Sequence, residues 1–211
     1  MTGDDRLRKY RGKRDFGKTG EPKGGRRKRS GQRSGSPRFV VQKHDASSLH
    51  YDFRLEAGGV LKSWAVPKGP PSDPKDKVLA APTEDHPLGY ADFEGVIPDG
   101  EYGAGPVEVW DTGTYRNLTE DHGEEVPVEE AIDRGHVKVA LEGEKLRGGY
   151  ALTRMRRGGK SPGWLLVKTR DDEVGHGRDP RRARPESVQT GRTLDDIKDD
   201  SARDTASRRA R

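Results

Sequence analysis

The amino-acid sequence predicts a mainly β protein, in which short antiparallel strands curl into a small barrel or pack as a sandwich, with one or two short helices. Segments of alternating apolar and polar residues recur through the middle of the chain, and glycine-rich turns separate them. The one convincing helix pattern is residues 126–135, which ends at a glycine suited to a helix C-cap. Many short strands with a single small helix are typical of antiparallel barrels and sandwiches.

Composition and charge divide the chain into three regions. Of its 211 residues, 28% are apolar and 36% are charged, which is too polar for a packed core throughout. Lysine and arginine outnumber acidic residues by 14 to 4 in residues 1–38, whereas the numbers are 17 and 22 in residues 39–170 and 10 and 10 in residues 171–211. We expect a basic N-terminal arm, a β-barrel domain, and a disordered charged tail with at most a marginal helix near residues 194–198.

The N-terminal arm itself has two parts. Residues 10–22 mix aromatic and charged side chains and are expected to dock on the barrel, whereas residues 23–36 are basic, of low complexity and expected to be flexible. Such a stretch is equally suited to a solubilising linker and to a DNA contact, whose affinity would fall steeply with salt.

Cysteine usage and hydropathy narrow the class of protein. The chain has no cysteine, which excludes disulfides and thiolate metal sites. No apolar run approaches the ~20 residues that span a bilayer, and the first residues lack the apolar core of a signal peptide. We expect a cytoplasmic monomer without a membrane partner, with nucleoid association left open.

The most informative stretch lies within residues 39–56. Its second half alternates between apolar and polar side chains, so His50, Asp52 and Arg54 stand on one face of a strand, ~6.6 Å apart. His44, swung back by a turn, adds a third ligand. Two imidazoles and a carboxylate suit Mn, Fe or Zn better than Ca or Mg, and Arg54 beside them can clamp an anion. The alternative is a half-solvated strand face that binds nothing.

Two further segments bring candidate residues. A Gly-Gly turn leads into a return strand at residues 60–66, and a proline-rich break follows, so Lys68 is expected beside the site or simply in solvent. A short strand at residues 78–81 feeds a loop in which His86 precedes a proline and is held in extended geometry. A fixed loop histidine is a candidate acid, base or phosphate ligand, although exposed loop histidines without a role are common.

Residues 92–105 form a glycine-rich turn segment, which lacks the lysine and the helix start of a P-loop. A hairpin is expected next, with strands at residues 106–110 and 114–116 and Asp-Thr-Gly at 111–113 as its turn. The remaining strands are predicted at residues 136–142, 149–154 and 164–168.

Four motifs occur in order along this chain. They are Gln-Lys-His-Asp-Ala-x-x-Leu-His-Tyr-Asp-Phe-Arg-Leu-Glu, Leu-Lys-Ser-Trp-Ala-Val-Pro-Lys-Gly-Pro, Glu-Asp-His-Pro-Leu-x-Tyr and Phe-Glu-Gly-x-Ile-Pro-x-Gly-x-Tyr-Gly-Ala-Gly. Together they closely resemble the 3'-phosphoesterase domain of bacterial DNA ligase D, a nonhomologous end-joining enzyme, and the related stand-alone phosphoesterases. The resemblance covers about residues 10–170, including Lys-Arg-Asp-Phe at 13–16 and Glu-Pro at 21–22.

The resemblance implies a small β-barrel enzyme that depends on Mn²⁺, with Zn²⁺ or Co²⁺ as alternatives. Its substrate would be a DNA primer-template or a broken DNA 3' end, including an RNA-tailed one. It would remove a terminal ribonucleoside to leave a 3'-phosphate, and then remove that phosphate to leave a 3'-hydroxyl. A separate ligase or an end-joining polymerase is the expected partner.

The resemblance also implies residue roles by position. Metal binding falls to His44, His50 and Asp52, and contact with the scissile phosphate falls to Arg54 and His86. Sequence does not choose whether His86 protonates the leaving oxygen or hydrogen-bonds a phosphoryl oxygen. The residues expected to assist catalysis near the reacting group are Lys68, Glu84 and Tyr90. Those expected to assist substrate binding are Gln42, Arg14, Asp15 and Glu21.

This sequence departs from the family pattern at two points. Val78 aligns with a position where these enzymes commonly carry arginine, so one phosphate contact is expected to be missing. Lys77 is next to it but on the opposite strand face, which makes it a doubtful substitute. The polymerase and ligase domains of the larger enzymes are also absent from these 211 residues.

Two other functions are consistent with the same residues. A non-haem iron oxygenase also uses two histidines and a carboxylate on a β-barrel, and it would require iron and an oxoacid. A non-catalytic DNA-end-binding module would use the basic arm alone, with salt-dependent binding and no turnover.

Overall fold

A computed structural model describes residues 3–24, 35–155, 163–171 and 179–209 of the chain. Its main feature is a closed antiparallel barrel of eight strands, which confirms the predicted fold class. In chain order the strands are β1 (Arg38–Asp45), β2 (Leu49–Ala57), β3 (Val60–Val66), β4 (Lys77–Pro82), β5 (Gly95–Ile97), β6 (Gly105–Asn117), β7 (Glu120–Asp121), β8 (Glu124–Glu125), β9 (His136–Gly143), β10 (Arg147–Arg154) and β11 (Trp164–Lys168).

The barrel closes because β1 pairs with both β2 and β6. The order of strands around the barrel is β1-β2-β3-β4-β11-β10-β9-β6. β5 pairs with the first residues of β6, and β7 and β8 form a separate small hairpin. Every pair is antiparallel, as short strands joined by tight turns require.

Short helices flank the barrel. They are α1 (Gly3–Arg6), α2 (Arg8–Gly12), α3 (Val128–Arg134), α4 (Pro180–Ala183) and α5 (Leu194–Arg209). The predicted helix is α3, and its C-cap Gly135 has φ 94° in the left-handed region, where glycine pays no steric penalty. None of the helices described is long and apolar enough to cross a membrane.

The barrel interior is filled by the apolar face of each alternating strand. On β2 this face includes Phe53 and Leu55, which pack with Trp64 of β3 and Leu166 of β11, all at most 2% exposed. Burying each such side chain fully is worth ~1.5–3 kcal/mol. The predicted apolar face of residues 49–56 is therefore buried at Tyr51, Phe53 and Leu55, whereas Leu49 at the start of β2 is 48% exposed.

The predicted hairpin at residues 106–116 is wrong. The segment belongs to one continuous strand, β6, whose register against β1 shifts by a bulge between Val41 and Gln42. Gly113 is needed for close approach instead of a turn, since a Cβ there would lie 2.2 Å from the carbonyl oxygen of Glu142. Asp111 accepts hydrogen bonds from three backbone N–H groups of the β9–β10 turn, so its carboxylate stabilises that turn and not one at residues 111–113.

The expectation of disorder in the tail is wrong for the part described from residue 179. Val188 donates its backbone N–H to Val109 at 3.0 Å, and Glu94 accepts hydrogen bonds from Ser187 and Thr190. α5 then packs on β1, β5 and β6, and its Ile197 is 2% exposed. The predicted marginal helix is present and longer than expected. Residues 172–178 lie outside the described part.

The N-terminal arm docks on the barrel, as predicted for residues 10–22. Tyr10 of α2 is fully buried, its hydroxyl donates to the carbonyl of Pro22 at 2.7 Å, and its ring packs edge-on against His86 and Tyr90. The predicted flexible stretch falls mostly on residues 25–34, outside the described residues.

A second segment covers the outer face of the wall formed by β1, β2 and β3. After β4 the chain continues along β3, where Thr83 donates to Ser63 O and Leu61 exchanges two backbone hydrogen bonds with His86. Together with the arm it turns an outward-facing polar strand face into a buried one.

Candidate active site

A cavity of about 300 Å³ opens on this covered outer face. Four parts of the chain line it: the arm, the β1–β3 wall, the segment after β4, and the glycine-rich turns before β6. Eight of the residues predicted for the site contribute, namely Arg14, His44, His50, Asp52, Arg54, Glu84, His86 and Tyr90.

The three predicted metal ligands converge in this cavity. β1 and β2 pair so that His44 lies directly opposite His50, with Asp52 two residues further along the same face. One donor atom from each residue lies within 4.8 Å of the others, and Asp52 Oδ2 is 3.8 Å from both His44 Nδ1 and His50 Nε2. Two imidazole nitrogens and a carboxylate at this separation fit a divalent transition metal that bonds each at ~2.0–2.2 Å.

Backbone carbonyls orient both imidazoles. His44 Nε2 lies 2.8 Å from Gly103 O, and His50 Nδ1 lies 2.9 Å from Ser48 O. Since a carbonyl only accepts, each of these nitrogens carries the proton, which leaves His44 Nδ1 and His50 Nε2 with free lone pairs. Those are the nitrogens that face Asp52. Fixing the ring through its second nitrogen is the usual way in which proteins orient histidine ligands.

Asp52 is ionised although it is buried. Burial alone would raise the pKa of its carboxyl, but the neighbouring charges, of which that of Arg54 has the largest effect, hold the pKa below its ordinary value. Arg54 NH2 lies 3.1 Å from Asp52 Oδ2. An anionic oxygen is therefore present for a metal before any ion arrives.

The guanidinium of Arg54 is fixed on three sides. Its Nε donates to Gln42 Oε1 at 2.8 Å, its NH2 to Asp52, and its NH1 lies 3.0 Å from His86 Nδ1. Gln42 is itself held, because its Nε2 donates to the carbonyl of Tyr90 at 3.0 Å. The described contacts use three of the five N–H groups of a guanidinium, which leaves two for a ligand in the cavity.

His86 is buried between two cations. Its Nε2 lies 3.3 Å from Arg14 NH2, and its Nδ1 lies 2.8 Å from Glu84 O as well as near Arg54. Burial, and then the charges of Arg54 and Arg14, hold the pKa of His86 well below its ordinary value. The imidazole is therefore neutral near pH 7.

The arm completes the network. Arg14 donates to Glu21 Oε1 at 2.8 Å and to Glu84 Oε1 at 3.0 Å, and Tyr90 donates its hydroxyl to Glu21 Oε1 at 2.9 Å. Burial raises the pKa of Tyr90, so its hydroxyl keeps the proton that it donates. Burial also favours a higher pKa for Glu84, but hydrogen bonds from Lys13 and Arg14 lower it.

Four of the predicted residues lie elsewhere. Gln42 and Glu21 stand behind the lining and hold Arg54 and Arg14. Asp15 is exposed and bonds the backbone N–H of Gly17, and Lys68 is exposed in the turn after β3. The structure does not bring Asp15 or Lys68 to the cavity wall, and their proposed roles stay predictions.

Val78 faces the barrel interior, where it is 6% exposed and belongs to the main core. The register of β4 against β3 puts Ala81, and with it Lys77, on the outer face that carries the cavity. The expected loss of a phosphate contact at Val78 is therefore not supported by its position, and Lys77 lies on the more suitable face.

Sequence reasoning missed the contribution of the glycine-rich turns. Tyr102, Gly103 and Ile97 line the cavity, and Gly103 orients a metal ligand. The sequence predicts a turn around these residues, but no periodicity or charge pattern connects that turn to residue 44.

Comparisons with known proteins identify the family of this chain. Residues 42–154 match the family model described as "DNA Ligase D 3'-phosphoesterase domain". The chain is 51% identical, over 89% of its length, to the multifunctional non-homologous end joining protein LigD of Pseudomonas aeruginosa, and 41% identical, over 86%, to that of Mycolicibacterium smegmatis. It is 49% identical, over 71% of its length, to the corresponding protein of Mycobacterium tuberculosis. The chain spans only 22%, 22% and 18% of these relatives.

Proposed function

Since the chain belongs to the DNA ligase D 3'-phosphoesterase domain family, we propose that it is a metal-dependent phosphoesterase acting on DNA 3' ends in nonhomologous end joining. It removes a 3'-terminal ribonucleoside to leave a 3'-phosphate and then removes that phosphate. The observation that carries the proposal is the convergence of three metal-type donors with Arg54 and His86 in one cavity.

His44, His50 and Asp52 would hold the metal, with Mn²⁺ as the ion we propose. A bound divalent ion supplies positive charge for the phosphoryl oxygens and acidifies coordinated water. The protein's part is to keep two imidazole lone pairs and one carboxylate aimed at the same point, which the hydrogen bonds to Gly103 and Ser48 do in advance.

Arg54 is proposed to bind the scissile phosphate. Its plane is fixed by Gln42 and Asp52, so little reorganisation is needed when negative charge grows on the phosphoryl oxygens. Arg14 brings a second guanidinium to the same cavity from the arm, and its pairing with Glu21 and Glu84 keeps it there. Lys68 is proposed to add charge from the solvent side.

His86 is proposed as a ligand of a phosphoryl oxygen. With its proton on Nε2, a neutral imidazole can donate to such an oxygen while Nδ1 accepts from Arg54, which requires that Nδ1 give up its hydrogen bond to Glu84 O and that Arg14 move from Nε2. The neutral ring has no second proton for a leaving group. We expect His86→Ala to lower turnover while metal binding survives, which a metal titration of the variant would check. An unchanged rate would remove His86 from the mechanism.

The two reactions fit the needs of end joining. A ligase or a polymerase requires a free 3'-hydroxyl, and a 3'-phosphate blocks it. A 3'-terminal ribonucleoside carries such a hydroxyl on a ribose, and the two reactions together replace it by the 3'-hydroxyl of the nucleotide before it. We propose that this chain prepares the end and that a ligase or polymerase uses it.

The test is incubation of the purified protein with end-labelled primer-templates that end in one ribonucleotide or in a 3'-phosphate. Mn²⁺, EDTA and the variant His50→Ala are the three arms. The proposal predicts a shorter 3'-phosphate product and then a 3'-hydroxyl product, both lost with EDTA and in the variant. Salt-dependent binding without product across several divalent metals would instead favour an end-binding module, and turnover only with iron and an oxoacid would favour an oxygenase.

A further inference from the structure

Tyr102 stands at the mouth of the cavity with 51% of its surface exposed, more than any other large hydrophobic side chain described. It nevertheless lines the cavity together with His44 and Arg14. An exposed aromatic ring beside a polar site is a surface on which a nucleobase can stack, because every base offers a flat face.

The ring is fixed relative to the metal ligands. Gly103, the next residue, accepts the hydrogen bond from His44 Nε2, and its φ of 78° lies in the left-handed region that favours glycine. On the side of the arm, Lys13 donates to the Tyr102 hydroxyl at 3.0 Å, and its ammonium lies 4.3 Å from the ring centroid. A base stacked on this ring would therefore sit at a defined distance from the reacting phosphate.

The charges around Tyr102 are balanced. Lys13 lies 2.9 Å from Glu84, and Lys18 lies 3.6 Å from Asp15 and 3.4 Å from Glu101. A polynucleotide strand carries one negative charge per nucleotide and favours a surface with excess cations. An uncharged nucleoside does not need an excess of cations, and its sugar hydroxyls can donate hydrogen bonds to carboxylates. The balanced surface around Tyr102 therefore suits the nucleoside that leaves from the scissile phosphate better than it suits the DNA strand that keeps the phosphate.

We propose that Tyr102 stacks on the base of the 3'-terminal nucleoside and forms the subsite for that leaving group. The proposal rests on the function proposed above and adds the part of the substrate that this ring recognises. In the step concerned, the oxygen of water bonds to the scissile phosphorus and the bond from phosphorus to the nucleoside 5' oxygen breaks. A proton passes to that oxygen, the nucleoside leaves, and the 3'-phosphate stays on the primer.

The second reaction has no such leaving group, since removal of a 3'-phosphate releases inorganic phosphate. Tyr102 should therefore matter for the first reaction and not for the second. Few other residues of the cavity can separate the two activities in this way, because the phosphate ligands serve both.

The experiment measures kcat/KM on three primer-templates that end in 3'-adenosine, in an abasic ribose at the same position, and in a 3'-phosphate. The proteins are the wild type, Tyr102→Ala, Tyr102→Phe, and Leu79→Ala. Leu79 is a matched control, because it is 47% exposed and does not line the cavity.

We expect Tyr102→Ala to lose about tenfold on the adenosine end and to stay within about twofold of wild type on the 3'-phosphate and on the abasic end, the size of change that base stacking gives. Tyr102→Phe and Leu79→Ala should resemble the wild type on all three. An equal loss on the adenosine and 3'-phosphate ends, a loss that persists on the abasic end, or no loss would overturn the subsite while the proposed function stands. Absence of wild-type turnover on every end would refute both.

Discussion

The two faces of the β1–β3 wall are both buried, yet they are built from opposite kinds of residue. On the inner face Phe53 packs among apolar neighbours, whereas on the outer face its neighbours Asp52 and Arg54 are 7% and 2% exposed and bond to each other. Burial of the inner face stabilises the fold through the apolar area removed from water, while burial of the outer face costs desolvation that mutual hydrogen bonds must offset. One alternating strand therefore supplies both stability and chemistry.

Two buried carboxylates show the same contrast. Asp52 lies beside the guanidinium of Arg54, and its pKa is lowered. Glu108 of β6 pairs in register with Lys43, on the opposite face of the wall from His44, and the Lys43 ammonium is 3.8 Å from its carboxylate. Burial raises the pKa of Glu108 to about 7. A buried acid is held ionised only where the fold brings enough positive partners to it.

The largest expected effect is on stability and comes from the inner face. Phe53→Ala should lower the free energy of unfolding by ~3–5 kcal/mol, because it leaves a cavity among fully buried side chains. The protein that remains folded should keep its activity. Urea unfolding followed by fluorescence, with Phe53→Leu as the milder control, measures the first, and specific activity at low temperature measures the second. A loss of activity in fully folded protein would show that the two faces are not independent.

The next effect is on catalysis and comes from the residue beside it. Arg54→Ala should lower kcat/KM about 10²- to 10³-fold, the usual cost of removing one preorganised donor to a developing charge. Mn²⁺ binding should persist, since His44, His50 and Asp52 all remain. End-labelled primer assays measure kcat/KM, and a metal titration measures Mn²⁺ binding. Arg54→Lys keeps the charge but loses the paired N–H donors of the guanidinium, so its kcat/KM should lie between those of wild type and Arg54→Ala. Activity within a few-fold of wild type would exclude Arg54 from phosphate binding.

The smallest effect is a pH dependence of stability at Glu108. The unfolded chain loses this proton near an ordinary pKa of ~4.3, whereas the folded protein keeps it until about pH 7. Stability should therefore fall as pH rises through this window and then level off, and Glu108→Gln should remove the fall, gaining about 1–3 kcal/mol at pH 8. Urea unfolding of both proteins at pH 5 and pH 8 checks it. An equal change with pH in both would mean that another group causes it.

Sequence patterns alone predicted the inner face of β2 and part of the outer face. Alternation in residues 49–56 placed Phe53 inside and His50, Asp52 and Arg54 together outside, because a strand has a strict period of two. The turn before β2 correctly returned His44 to that face. The alternating pattern did not predict that the sheet closes into a barrel. That prediction came from the family resemblance.

The errors have physical causes. Asp-Thr-Gly at 111–113 has the composition of a turn, but Asp111 uses its carboxylate to hold the β9–β10 turn and the strand runs on. The tail has balanced charges and few apolar residues, yet Leu194 and Ile197 suffice to pack it on β6. The partnership of Arg14, His86 and Tyr102 joins segments that no local pattern connects.

The most direct test is a crystal structure of the protein soaked with Mn²⁺ and inorganic phosphate, with anomalous diffraction measured for manganese. The account predicts one strong peak bonded to His44 Nδ1, His50 Nε2 and Asp52, with phosphate beside it on Arg54 and His86. Manganese bound elsewhere, or phosphate bound away from this cavity, would contradict the claim that the outer face of the wall is the reaction centre.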